Sequence, residues 1–208
     1  MRKFSIWLLF IPVILCGEKE GFRSLFDGKS LAGWEGNPDF FRVENSCMVA
    51  GHLNRRIPRN EFLVTEQTWD DCEFIFEARL RGPGSNAGVQ FWSKRLPNSN
   101  EMIGYQCDIG AFKKGLLWGW LYDESRRNRF LATAPQSDMQ EWAHPKGKWN
   151  KLRVRAQAPH IQIWLNDYLV CKFEEKDASI PQSGHIGLQI HSGPPLECWF
   201  RGIAIRKL

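Results

Sequence analysis

Long hydrophobic runs, paired cysteines and helical periodicity are almost entirely missing from this sequence. The one sustained apolar run, Phe4 to Leu15, is too short for a comfortable transmembrane helix, which needs about 20 residues. The 6 cysteines include no C-x-x-C pair, which removes zinc-ribbon and thioredoxin-like chemistry. No basic stripe extends beyond Arg126-Arg127-Asn128-Arg129, so the formal net charge of +5 makes no case for nucleic-acid binding. There is no G-x-S-x-G, no Walker loop and no H-E-x-x-H. No three histidines or carboxylates stand at metal-ligand spacing, so neither a required metal nor a cofactor is expected; a structural calcium site stays open. Internal repeats and low-complexity tracts are absent too. Tyrosine is scarce, with 3 against 10 Trp and 14 Phe. Indole rings in that number suit the C–H face of a sugar ring, although large aromatics also simply fill sandwich cores.

What is present begins with a secretory pattern. Met1-Arg2-Lys3, an apolar run of about a dozen residues and then Cys16-Gly17-Glu18 read as a signal peptide over 1–16. Loss of Arg2 and Lys3 would leave a net charge of about +3. Leu15 stands where a bacterial lipobox wants a small residue, so lipid attachment at Cys16 and ordinary cleavage both stay open. The protein is therefore expected outside the cytoplasm, periplasmic or extracellular, with a membrane tether only if Cys16 is lipidated. Export permits disulfides, but the five later cysteines are odd in number, and buried free thiols are the default for most.

After a leader over 17–24, residues 25–208 read as one domain. Short apolar or alternating runs recur between Gly, Pro, Asn and Asp. They include Phe62–Thr65, Cys72–Arg81, Gly88–Ser93, Tyr105–Ile109, Leu116–Tyr122, Ile161–Asn166, Tyr168–Phe173 and Gly184–His191. Strand-length runs at this spacing predict an all-β sandwich or barrel. Asn166-Asp167 and Asn45-Ser46 mark hairpin turns. Helical turns are expected at most near Ser125–Asn128 and Ser137–Trp142.

Strands alternate faces with period 2. Opposite the apolar sets Phe74/Phe76/Ala78/Leu80, Val89/Phe91, Tyr105/Cys107/Ile109 and Leu188/Ile190 stand Glu77, Arg79, Gln90, Trp92, Gln106, Asp108, Gln189 and His191. A solvated sheet face would normally be rich in Lys, Glu and Thr. This set instead mixes amide, carboxylate, imidazole, guanidinium and indole, which suits sugar hydroxyls as both donors and acceptors. Asn86, at the end of the glycine-rich stretch Gly82–Gly88, is placed to reach a ligand. Tyr122 and Glu124, followed by Arg126 and Arg127, could add a carboxylate and two guanidiniums at a site rim, or be a solvated charged loop. His52, His144, His160 and His185 show no partner in sequence.

Several segments resemble one family in order. Gly21-Phe22-Arg23-Ser24-Leu25-Phe26-Asp27-Gly28 with Leu31 and Gly33-Trp34 resembles the opening G-F-x-x-L-F-D-G-x-x-L-x-G-W of the 3-keto-disaccharide hydrolase domain. Asn86-Ala87-Gly88-Val89, Gly104-Tyr105-Gln106-Cys107-Asp108-Ile109, Trp149-Asn150, Gly187-Leu188-Gln189-Ile190-His191 and Phe200-Arg201-Gly202-Ile203 resemble its N-S-G-I, G-Y-E-x-Q-I, W-N, G-L-Q-x-H and F-R-N-I segments. The resemblance runs from about Gly21 to Leu208. It implies a concanavalin A-like jelly roll of two antiparallel sheets with ligand on the concave one. It also implies 3-keto-glucoside 1,2-lyase and 3-keto-2-hydroxyglucal hydratase activity on a small carbohydrate substrate. A ketone at C3 acidifies the C2 proton, so elimination at C1 followed by hydration gives net hydrolysis. One departure stands out: the family's strand carries Glu and Gln where this chain has Gln106 and Asp108.

The resulting expectations are specific. Asp108 or His191 takes the C2 proton, and Arg79 or Gln189 steadies the enolate oxygen. Arg79, Gln90, Gln106, Asp108, Gln189 and His191 share one surface. Trp92 and one of Trp118 or Trp120 stack on sugar there, with Asn86, Tyr122 and Glu124 as further contacts. A non-catalytic carbohydrate-binding module and a structural or adhesive exported domain are the competing functions. Asp108 and His191 on matching faces favour an enzyme. Mass spectrometry of the native protein should find a mature chain beginning near Cys16 or Gly17; retention of Met1–Leu15 would end the export expectation.

Overall fold

The structure, a computed structural model, describes residues 21–113 and 115–208. The expected signal segment and most of the leader lie outside the described residues. In chain order the first strands are β1 (Arg23–Ser24), β2 (Trp34–Glu35), β3 (Phe41–Glu44), β4 (Cys47–His52), β5 (Glu61–Thr65), β6 (Cys72–Arg81), β7 (Asn86–Arg95) and β8 (Met102–Phe112). There follow β9 (Gly115–Leu116), β10 (Leu121–Glu124), β11 (Arg129–Ala132), helix α1 (Gln136–Trp142), β12 (Asn150–Gln157), β13 (His160–Leu165), β14 (Tyr168–Glu174), β15 (His185–Ile190) and β16 (Leu196–Lys207).

They form the expected jelly-roll sandwich of two antiparallel sheets. The first runs β14-β13-β12-β6-β16-β4-β3, with β1 beside β16; the second runs β11-β10-β8-β7-β15-β5-β2, with β9 beside β8. Arg23 and Ser24, at the end of the expected leader, already pair with Ile205 and Ala204. The alternating apolar residues of both sheets meet between them. From the first come Phe74, Phe76, Val154, Ile163 and Phe200; from the second come Leu63, Val89, Tyr105, Cys107 and Leu188. Burial of these side chains away from water is the main force holding the layers together. Asn166-Asp167 (φ 47° and 70°) and Asn45-Ser46 (φ 50° and 55°) make the two hairpin turns in the left-handed backbone that matches strand twist. All five described cysteines are free and buried.

Two local departures matter for the site. Leu116–Tyr122 is not one strand: a turn bonds Trp120 N–H to Leu117 O at 2.8 Å, with Gly119 at φ +77°. Strand β7 carries a bulge between Phe91 and Lys94, with Trp92 at φ 47°. A bulge inserts a residue and shifts which face the following side chains occupy.

The sheets are tied at one edge by a charged cluster. Asp123, fully buried, accepts from Arg126 Nε at 2.8 Å and from Arg127. Arg127 reaches Glu175 at 2.7 Å, just beyond β14, and the Tyr105 hydroxyl donates to the same carboxylate. Burial alone would raise the Glu175 pKa, but Arg127 and Tyr105 outweigh it and hold the group at about 2. Removing Asp123 would leave the partly buried Arg126 guanidinium without its carboxylate and Arg127 with Glu175 alone. Asp123→Ala should therefore lower unfolding stability by about 3 kcal/mol in a denaturant titration; a change under about 0.5 kcal/mol, the scale of an ordinary surface substitution, would mean that the cluster is solvated.

Candidate active site

The outward face of the second sheet carries the site because its central strands stay in register. Gln106 of β8 stands opposite Gln90 of β7 and Tyr122 of β10, and Asp108 stands opposite Gly88. Gly88 is in turn opposite Gln189 of β15. Since Tyr105, Cys107 and Ile109 face the core, Gln106, Asp108 and Phe112 must face outward. Glu124 points outward for the same reason that Asp123 points in.

A cavity of about 330 Å³ opens on this face. Asn60, Asn86, Gln106, Asp108, Tyr122, Glu124 and His191 line it with polar groups; Phe112, Leu117 and Phe130 supply apolar wall, and Lys113 stands beside them. A chain of buried polar side chains runs from beside the cavity into its floor, where Gln106 and Asp108 lie. Ser93 Oγ lies 2.8 Å from Gln90 Oε1, Gln90 Nε2 donates to Gln106 Oε1 at 2.8 Å, and Gln106 Nε2 donates to Asp108 Oδ1 at 2.6 Å. A Cβ on residue 88 would sit 2.5 Å from Gln106 Cδ, so glycine there lets the amide lie flat on the strand. At the far end Phe62, Val64 and Met102 form a small apolar cluster. Gln90 and Gln189, both fully buried, thus share the face without lining the cavity. They act through Gln106 and Glu124 instead, Gln189 Nε2 lying 3.4 Å from Glu124 Oε2.

Both carboxyls hold their protons unusually well. Burial pushes Asp108 up to about 8; Glu124's charge adds to this, and the Gln106 hydrogen bond opposes it. Burial likewise lifts Glu124 to about 7, with the Glu101 charge adding and the Gln189 contact opposing. His191 Nδ1 lies 2.7 Å from the Ser192 carbonyl. A carbonyl only accepts, so in the neutral imidazole Nδ1 carries the proton and Nε2 the lone pair. Asn86 Oδ1 is buried without a hydrogen-bond partner, an acceptor still needing a donor.

Four expected site residues lie elsewhere. Arg79 is on β6 in the first sheet, its guanidinium 4.6 Å from the Trp149 ring and 4.7 Å from the Trp199 ring. The core separates it from Asp108, because matching parity does not put strands in the same sheet. The bulge turns Trp92 inward, where it packs against Phe91 and Tyr105 and donates to Asp70 O at 3.0 Å. Trp118 and Trp120 are core residues, since the 117–120 turn breaks the alternation that would link them to Tyr122. Arg126 and Arg127 belong to the Asp123 cluster. Conversely, Asn60, Phe112, Lys113, Leu117 and Phe130 were not singled out by sequence. Phe112, 53% exposed, continues the parity of Gln106 and Asp108 beyond Ile109, where the alternating run in the sequence ends.

Comparison with known proteins places this architecture. The 3-keto-alpha-glucoside-1,2-lyase-like domain matches residues 21–206. The chain belongs to this family. Its fold is similar to that of a candidate glycosyl hydrolase from Parabacteroides distasonis (TM-score 0.65, 20% identity, 90% of this chain and 99% of that one). A second such protein from the same organism gives TM-score 0.65 at 16% identity, covering 91% and 94% of the two chains. The carbohydrate-binding module CBM66 from Bacillus subtilis gives TM-score 0.61 at 12% identity, covering 84% and 96%. Comparison with curated proteins by sequence gives no match.

The raised Asp108 carboxyl has a stability consequence. The folded state keeps this proton up to about pH 8, while the unfolded chain releases it near 3.8. Folding therefore binds a proton in that window, and wild-type stability falls as pH rises through it. Asp108→Asn lacks this penalty, so its melting temperature should gain on wild type between about pH 4 and pH 8. A gap that stays constant with pH would show an ordinary carboxyl.

Proposed function

We propose that the cavity binds a 3-keto-glycoside and cleaves it by elimination, with hydration completing a net hydrolysis. The observation that supports this most is a proton-holding Asp108 in the same cavity as a lone pair on His191 Nε2. Elimination needs a base for the C2 proton and a donor at the C3 oxygen. His191 Nε2 takes the proton; its electron pair moves into the C2–C3 bond, and the C3 oxygen gains charge against the Asp108 carboxyl. Collapse of the enolate forms the C1–C2 double bond and breaks the C1–oxygen bond, and the leaving oxygen takes the proton from His191. Water then adds at C1 while a proton returns to C2. Glu124, Tyr122, Asn60 and Asn86 meet ring hydroxyls, and Phe112 offers an apolar face in place of the expected tryptophans. Gln189 positions Glu124. The N-terminal segment makes this an exported activity within the same proposal.

A second function, sugar binding without turnover, is favoured by the likeness to CBM66 over most of both chains. Solvent deuterium separates the two. Wild type incubated in D2O with a 3-keto-glucoside should place deuterium at C2 and release the aglycone. Asp108→Asn and His191→Gln should each lower turnover by about 10²–10⁴. The wild-type rate should fall above about pH 8 as Asp108 loses its proton, and Asp108→Asn should lose that limb. Saturable binding with no exchange at C2 would leave the binding function standing and end the elimination mechanism.

A further inference from the structure

The glycine-rich turn after β6 builds a second, smaller cavity. It measures about 160 Å³ and shares Asn86, Phe112 and His191 with the first. Its remaining wall comes from Pro83 to Ser85 on one side and Ser192, Pro194 and Leu196 on the other. These two segments touch closely: Gly84 N–H donates to Pro195 O at 2.9 Å, and a Cβ on Gly84 would lie 2.9 Å from both Pro194 O and Leu196 Cβ. Glycine at 84 is what allows this wall to close.

Several polar groups of the wall are spent, while Asn86 Oδ1 keeps no partner. Gly84 O accepts from Lys146 Nζ at 2.6 Å, Ser85 Oγ donates to Ala111 O at 3.0 Å, and Asn86 O accepts the His191 N–H. Besides the Asn86 and His191 side chains shared with the first cavity, the space is faced by two proline rings, Leu196, Phe112 and the Ser192 side chain. The first cavity is about twice as large and holds both carboxyls, Asp108 and Glu124. The scissile bond joins the sugar ring to its leaving group. His191 stands at the boundary of the two cavities, so a bond held there would have the ring in the first and its leaving group in the second.

We propose that the second cavity receives the leaving group and selects a single aromatic ring or short alkyl alcohol over a second sugar. The inference rests on the elimination proposed above. A cavity of about 150 Å³ takes one benzene ring. A sugar there would leave most of its hydroxyls without partners, and an unpaired buried hydroxyl is disfavoured.

The test compares benzyl 3-keto-glucoside with a 3-keto-disaccharide of the same anomer, using the purified full chain. Benzyl alcohol is a poorer leaving group than a sugar hydroxyl, so a preference for it comes from binding and not from bond chemistry. The benzyl substrate should be favoured in kcat/KM by about tenfold or more. Pro83→Trp and Pro194→Trp, both at exposed positions that fill the cavity, should each bring the ratio to one or below. Equal or better cleavage of the disaccharide by wild type, or a ratio unmoved in both variants, would overturn the leaving-group assignment and leave the elimination intact. Failure of 3-keto-glucose to exchange its C2 proton in D2O would overturn the elimination itself, and this inference with it.

Discussion

Keeping a carboxyl group dry on the outward face of a sheet is the constraint around which this sandwich is arranged. A buried Asp resists ionisation unless cations or several donors compensate it, and Asp108 is offered one amide hydrogen, from Gln106. That amide is oriented by Gln90, which lies beside Ser93. The chain needs β7 and β8 side by side in the middle of the sheet, a glycine at 88 under the Gln106 side chain, and an apolar cluster at the end of the face. Each of these is a fold-level feature whose clearest consequence is the state of one proton. Such a site costs stability at neutral pH, the usual trade between a functional group and the folded state around it.

The distribution of positive charge completes the arrangement. Asp123 and Glu124 are neighbours in sequence and opposite in fate. Asp123 turns inward and takes Arg126 and Arg127, and Arg127 then binds the second sheet to the first through Glu175. Glu124 turns outward without them. Arg79 is held between Trp149 and Trp199 across the molecule. The guanidiniums that could have lowered the site carboxyls are thus committed to architecture, and the groups acting on Asp108 are burial, one amide and a like charge. Both carboxyls rise for that reason.

Much of this was legible in sequence, and the failures share a cause. Turn residues such as Asn166-Asp167 and Asn45-Ser46, with the alternation between them, give the sandwich. Within unbroken strands the period of two places Gln106, Asp108 and Gln189 on one face, with His191 just beyond, as the structure has them. It fails wherever the chain leaves that period. The bulge at Trp92 and the turn at 117–120 carry three tryptophans into the core, and neither has a signature stronger than a nearby glycine. The run Tyr105–Ile109 ends short of Phe112, which therefore goes unmarked in sequence. Arg79 illustrates a different limit: alternation assigns faces within a strand, but which sheet the strand joins is decided by pairings distant in sequence. Asn60 falls in the same class, since it reaches the cavity only because β5 pairs with β15.

The two carboxyls invite comparison with ordinary glycoside hydrolysis, and their chemistry argues against it. That reaction sets one ionised carboxylate, as nucleophile or base, against one protonated acid, so the environments must push the two pKa values apart. Here burial lifts both, to about 8 and about 7, and no nearby guanidinium keeps either ionised. At neutral pH Asp108 is chiefly a donor and Glu124 is divided between its two forms. In the neutral imidazole of His191 the Ser192 carbonyl fixes the tautomer that leaves the lone pair on Nε2. An imidazole base beside a protonated carboxyl suits removal of an acidified carbon-bound proton better than stabilisation of an oxocarbenium ion, which gains from a nearby negative charge. In the proposed elimination, the loss of a Glu from the family's strand and the arrival of Asp two residues on are compatible with turnover. They move the acid along the same outward face, to the position opposite Gly88, where the Gln106 amide can reach it.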